Sequence, residues 1–187
     1  MLATALVFAG CKKKSSDDQK PAADQSGSAK TAPAAPASAG GDIAVKLESA
    51  PEGAGAYEGS KAIALLSDST GYIMIPHGCG PSFGCGIADD FGHNYVPDKL
   101  KAACPTGYLL QVELKDQKAV GDPKHGKHEV GLGVYGVAKA DTSGASGAGS
   151  VDIAQHTADV LEGTLAYTDG ASSANGGFKA AVCKEKP

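Results

Sequence analysis

From residue 108 onward, apolar and polar positions alternate: Tyr108, Leu110, Val112 and Leu114 fall on one side, Gln111, Glu113 and Lys115 on the other. A period of two sends successive side chains to opposite faces of a pleated strand, so this segment predicts a half-buried β-strand. The same pattern, bounded by Gly, Pro, Asp and Ser clusters, predicts strands at 61–67, 72–76, 129–139, 150–155, 160–168 and 178–183. Helical spacing is scarce. Only 97–103, with Pro97 placed for a first helical turn, predicts a short α-helix. Short strands joined by turns predict an all-β domain over 42–187, an antiparallel β-sandwich or flattened barrel of about seven to eight strands. Its last third, 149–183, predicts three meander strands that close it.

Before residue 42 the alternation disappears. Residues 12–41 are Ala, Pro, Ser, Gly, Lys, Asp and Gln, ending in Thr31-Ala32-Pro33-Ala34-Ala35-Pro36-Ala37-Ser38-Ala39-Gly40-Gly41. A segment with no apolar face cannot offset its ordering entropy, which predicts a disordered tether with a reach of roughly 30 Å. Ahead of it, residues 1–10 form an uncharged apolar run that ends in small residues before Cys11. The run is shorter than the ~20 residues a membrane span needs and predicts the end of a signal peptide.

Phe8-Ala9-Gly10-Cys11 resembles the bacterial lipobox. The C-terminal third is similar to the ends of uncharacterised bacterial lipoproteins. These share a short strand, a Gly-x-Leu/Phe strand ending in Asp-Gly and a final Gly-x-Phe-x-Ala strand closed by cysteine. Here they are matched by Gly149–Ile153, by Gly163-Thr164-Leu165 running to Asp169-Gly170, and by Gly176-Gly177-Phe178-Lys179-Ala180-Ala181-Val182-Cys183. The resemblance implies diacylglycerol on Cys11, removal of residues 1–10 and a palmitate-bearing anchor in the bacterial cell envelope. It implies no biochemical activity. Phe8 stands where leucine is commonest, and no Lys or Arg precedes the apolar run, which predicts a start upstream of Met1. If the enterobacterial sorting habit applies, Lys12 after the lipidated cysteine favours the outer membrane. The alternative for Cys11 is a free or disulfide-bonded thiol. Position weighs against it, because Lys12-Lys13-Lys14 and the tether follow at once. Two or three acyl chains, at ~0.8 kcal/mol per buried methylene, anchor firmly. The lysines add attraction to an anionic leaflet, or simply keep the tether solvated.

Charge and composition narrow the partners. Residues 12–41 carry 5 Lys against 3 acidic residues, whereas 42–187 carry 12 against 18, so the domain is net −6. An acidic surface without a basic stripe excludes nucleic acid as a partner. All 17 basic residues are lysine, so the bidentate guanidinium fork used for phosphate and carboxylate recognition is absent.

Cysteine and histidine supply the candidate chemistry. Besides Cys11 there are Cys79, Cys85, Cys104 and Cys183, an even set that predicts two disulfides in an exported domain. Three pairings are possible. Cys79–Cys85 with Cys104–Cys183 is favoured, the first pinning a glycine-rich hairpin and the second tying the last strand to the middle of the domain. A zinc or copper site is the alternative use of these residues, from His77, Cys79, Cys85, His93, His125 and His128. Against it, the five-residue gap between Cys79 and Cys85 is wider than compact zinc spacings, and an oxidising compartment competes for the thiols. His125 and His128 lie in a turn-rich loop where solvation is the simpler expectation. Asp89-Asp90 lacks the dense acidic spacing of a calcium loop.

Gly131-Leu132-Gly133-Val134-Tyr135-Gly136 matches Gly-x-Gly-x-x-Gly, but a dinucleotide turn needs a helix opening inside the motif, and this run continues as a strand. Close strand packing or a bulge explains the glycines better. No Gly-x-Ser-x-Gly elbow and no His-Glu-x-x-His motif occurs. The expectation is a non-enzymatic, cofactor-free envelope lipoprotein. It would be anchored to membrane lipid through acylated Cys11, and its β domain would bind an envelope protein or glycan or serve structurally. The metal-binding lipoprotein is the alternative.

Overall fold

The computed structural model describes residues 40–48, 51–67, 71–90, 98–115, 122–137, 141–142 and 147–183. Ten strands occur among them: β1 (Ile43–Lys46), β2 (Gly55–Tyr57), β3 (Ile63–Leu66), β4 (Gly71–His77), β5 (Tyr108–Leu114), β6 (Gly126–Gly136), β7 (Asp141–Thr142), β8 (Gly147–His156), β9 (Val160–Asp169) and β10 (Ser172–Cys183). One α-helix, α1 (Asp98–Ala103), lies where the sequence predicts it; Pro97 falls outside the described residues. All seven predicted strands exist. The three additional ones are short: β1, β2 and β7 have four, three and two residues.

Seven strands close a barrel in the order β10-β3-β4-β5-β6-β8-β9 and back to β10. The fold is all-β, a barrel rather than a sandwich. The C-terminal meander is β8, β9 and β10, paired antiparallel with Gly163 opposite Phe178 and Val151 opposite Leu165. One pair corrects the antiparallel expectation: β3 runs parallel to β10, with Ile63 beside Ala181 and Leu65 beside Cys183. The cause lies in the short strands. β1 pairs antiparallel with the first half of β10, and β2 turns back on β1, so β2 already runs in the sense of β10. A 3-10 turn, Gly59–Lys61, then carries the chain on without reversal into β3.

That turn needs glycine. A Cβ on Gly59 would collide with the carbonyl oxygens of Gly41 and Gly177, and one on Gly176 with the backbone of Asp42. β10 can therefore take β1 on its edge, then the turn, then β3, only because three backbones approach to contact where side chains are missing.

Two apolar clusters hold the domain. Inside the barrel pack the inward residues of every long strand, among them Ile73, Ile75, Leu110, Val112, Val134, Val151, Ile153, Leu161, Leu165 and Phe178. Each large side chain removed from water here contributes roughly 1.5–3 kcal/mol. The second cluster lies outside it. Ile63, Met74 and Leu109 point outward from β3, β4 and β5, yet are 1%, 3% and 4% exposed. They are covered by Phe83, Ile87, Leu100 and Ala103 from the excursion that joins β4 to β5. Burial on both faces explains why β4 reads as a nearly continuous apolar run, Gly-Tyr-Ile-Met-Ile-Pro-His, instead of alternating.

The four cysteines fasten this excursion, in a pairing that corrects the favoured one. The bonds are Cys79–Cys104 and Cys85–Cys183, with Cα atoms 4.2 and 5.2 Å apart. Cys79 follows the end of β4 and Cys104 precedes the start of β5, so the first bond closes the base of the excursion. Cys85 opens a 3-10 segment, Cys85–Asp90, that lies near the far end of the barrel, where β10 ends at Cys183. Cys79 and Cys85 are thus at different levels along the barrel wall, and a hairpin between them does not form.

Candidate functional site

At the barrel end where β4 stops, three rings gather. His77 stacks on Tyr57 with centroids 5.0 Å apart and meets Tyr108, tilted, at 6.5 Å. Its Nδ1 donates to the carbonyl oxygen of Ala56 at 2.8 Å; since a carbonyl only accepts, the Nδ1 carries the proton and a neutral ring keeps its lone pair on Nε2. Beneath the ring lies Gly55, where a Cβ would meet the imidazole Cε1 at 2.8 Å. Tyr57 is fully buried and donates its hydroxyl to Gly53 at 2.8 Å. Burial first, then neighbouring Tyr108, pushes its phenol far above the ordinary value of 10.0. A neutral phenol bonded to a carbonyl, under a ring bonded to another, holds the first strands to the barrel. Chemically it is a closed cluster.

At the opposite end the described residues form a shallow cleft of about 470 Å³, lined by Leu66, Asp122, His156, Thr157, Ala158, Val182 and Cys183. His156, at the end of β8, places Nδ1 3.2 Å from Oδ1 of Asp122, and its side chain is only 14% exposed. Nothing local in the sequence joins these residues; the β6–β8 ladder, in which Gly126 faces Ile153, brings the two segments together. His156 is therefore the site residue that sequence patterning leaves out. Thr157 beside it accepts from the backbone N–H of Val160 at 3.1 Å, so its hydroxyl caps the turn.

Around the wall from this cleft is a second, of about 500 Å³, whose lining includes Ser60, Ile63, Phe83, Cys85, Lys179 and Ala181. Lys179 reaches across the ladder to Glu162 at 2.6 Å, and Lys61 to Glu58 at 2.9 Å, so the cations on this rim are already neutralised. The two clefts are separated by the Cys85–Cys183 bond, one residue lining each.

The candidate metal ligands do not assemble. Cys79 and Cys85 belong to different disulfides. His77 is engaged with Ala56, and His128 donates through Nε2 to the carbonyl of Lys124 at 2.7 Å. His125 is exposed on the approach to β6, and His93 lies outside the described residues. Among the described residues, no three of His, Cys, Asp and Glu are grouped so as to hold a metal ion. Asp89 and Asp90 end the 3-10 segment. The Gly-x-Gly-x-x-Gly run lies wholly within β6, and a Cβ on Gly133 would stand 3.0 Å from the ring of Tyr135, which folds over it. These glycines serve packing, with no break in the β5–β6 register. Cys11 lies outside the described residues.

Compared with family models, with curated proteins and with solved structures, the chain matches none.

Proposed function

We propose that this chain is a bacterial envelope lipoprotein. Cys11 carries the lipid, residues 12–41 act as the tether, and the barrel is a non-enzymatic module that binds an envelope protein or glycan, or serves structurally. The observation that carries the proposal is the fate of the cysteines. Five are present, four pair within the folded domain, and the fifth ends a small-residue run, Phe8-Ala9-Gly10-Cys11, of lipobox type. Two disulfides in a domain of this size fit an oxidising compartment, and with it export. A barrel interior filled by Ile73, Leu110, Val134, Ile153 and Phe178 leaves recognition to the outer wall and the end loops.

The test is fractionation of cells expressing the parent chain and Cys11→Ser. The proposal expects the parent in the membrane fraction, labelled by radioactive palmitate, and the variant unlabelled and released. A variant that stays membrane-bound with unchanged label would overturn it.

A further inference from the structure

The two disulfides differ sharply in access. Cys104 is fully buried and Cys79 half-buried, packed so closely under Gly107 that a Cβ there would lie 3.1 Å from the Cys79 sulfur. Cys85 is exposed and lines the larger cleft, while its partner Cys183, 4% exposed, lines the other. Thiol–disulfide exchange requires a thiolate to reach one sulfur while the other departs, so access to one end of the bond decides which bridge reacts.

We propose that the Cys85–Cys183 bond is a thiol-exchange site, opened by a dithiol reductant, and that opening frees the 3-10 segment Cys85–Asp90 from the outer wall of the barrel. A thiolate of the reductant, entering through the cleft beside Phe83 and Lys179, attacks the Cys85 sulfur. The Cys85–Cys183 bond breaks, and its electron pair leaves on Cys183, which takes a proton from solvent in the opposite cleft. The second thiol of the reductant then attacks the mixed disulfide, releasing Cys85 as a thiol. The chain gains two electrons and two protons, and the dithiol becomes a cyclic disulfide.

What this would release follows from what else holds the segment. The backbone hydrogen bond from Ile87 runs to Gly84, inside the excursion, and not to a barrel strand. Ile87 and Phe83 remain in one apolar cluster with Ile63, Met74, Leu100 and Leu109, and among the described residues that packing is what still holds the segment once the covalent tie is gone. The base of the excursion stays shut, through Cys79–Cys104 and the bond from Gly80 to the Ala103 carbonyl at 2.7 Å. Opening therefore loosens the cover that Phe83 and Ile87 give the outer apolar face of β3 and β4 without unfolding the barrel, while Leu100 and Ala103 stay in place behind the closed base.

The inference does not depend on lipid at Cys11. Native protein is treated with dithiothreitol, quenched with iodoacetamide at intervals and mapped by peptide mass, with Cys11 read separately. Cys85 and Cys183 are expected to be alkylated at least tenfold faster than Cys79 and Cys104. The half-reduced protein should lose amide exchange protection over residues 84–90 while β5 and β6 keep theirs. Bridges that open together, or Cys79–Cys104 opening first, overturn the exchange site. Unchanged protection over 84–90 in the half-reduced protein, or in the Cys85→Ser, Cys183→Ser double variant, overturns the release.

Discussion

His77 donates from Nδ1 to the carbonyl oxygen of Ala56 at 2.8 Å, so a side chain, and not a strand, joins β4 to β2. A single backbone bond, from Glu58 to the carbonyl of Pro76 at 2.8 Å, accompanies it. His77→Ala removes the imidazole bond and the stacking on Tyr57. The expected loss is about 1–2 kcal/mol of unfolding free energy by urea titration. Amide exchange should rise over residues 55–58 and stay unchanged in β8 and β9.

Tyr57 makes the same corner sensitive to alkali. Its phenol ionises above the ordinary value of 10.0 in the folded chain, because burial and Tyr108 disfavour the phenolate. The folded state therefore holds a proton that the unfolded state gives up. Stability from this group is complete below about pH 10 and falls as pH rises beyond it, by up to about 1.4 kcal/mol per unit. Tyr72 and Tyr167 are raised in the same direction by burial, so the parent's slope is not due to Tyr57 alone. Tyr57→Phe isolates it: urea titrations between pH 9 and about 11.5 should show a shallower decline in the variant. Equal slopes would mean that Tyr57 ionises freely in the folded chain.

The two disulfides close loops of 25 and 98 residues. Chain entropy assigns them about 3.5 and about 4.7 kcal/mol. Replacing Cys85 and Cys183 together by serine should cost more than replacing Cys79 and Cys104, as read by chemical denaturation. A larger loss from the shorter loop would show that native packing, not loop closure, sets the order.

Gly163 faces Phe178 across the β9–β10 ladder, and a Cβ there would stand 2.5 Å from the Asp152 carbonyl oxygen and 3.0 Å from the Phe178 ring. Gly163→Ala should destabilise by about 1–3 kcal/mol, with a lowered melting temperature in calorimetry. Gly126→Ala serves as the contrast. Nothing lies within 4 Å of a Cβ at Gly126, but its φ of 111° disfavours any side chain, so its cost is conformational.

Much of this fold is legible in the sequence because the barrel buries one face of most strands. Alternation marks β5, β8 and β9, and turn residues separate them. Three features escape it for physical reasons. β2 is Gly55-Ala56-Tyr57, too short to show a period, and β1 contributes only Ile43 and Val45 before the pattern ends at Leu47. The first half of β10, Ser172 to Gly177, has a turn's composition because its glycines admit neighbouring backbones. The disulfide pairing could not be chosen from spacing, since the excursion folds back along the wall and sets Cys85 beside a residue 98 positions away. His156 and Asp122, brought together by the β6–β8 ladder, likewise meet without any local signal.

The central claim is that Cys11 stands outside the fold as the lipid attachment point while the other four cysteines brace it. Intact-mass and N-terminal peptide measurements on protein extracted from membranes test it most directly. The account predicts a mature chain that begins at Cys11, carries the mass of diacylglycerol with or without a further acyl chain, and lacks four protons for two disulfides. A chain that retains residues 1–10, or an unmodified thiol at Cys11, would contradict it.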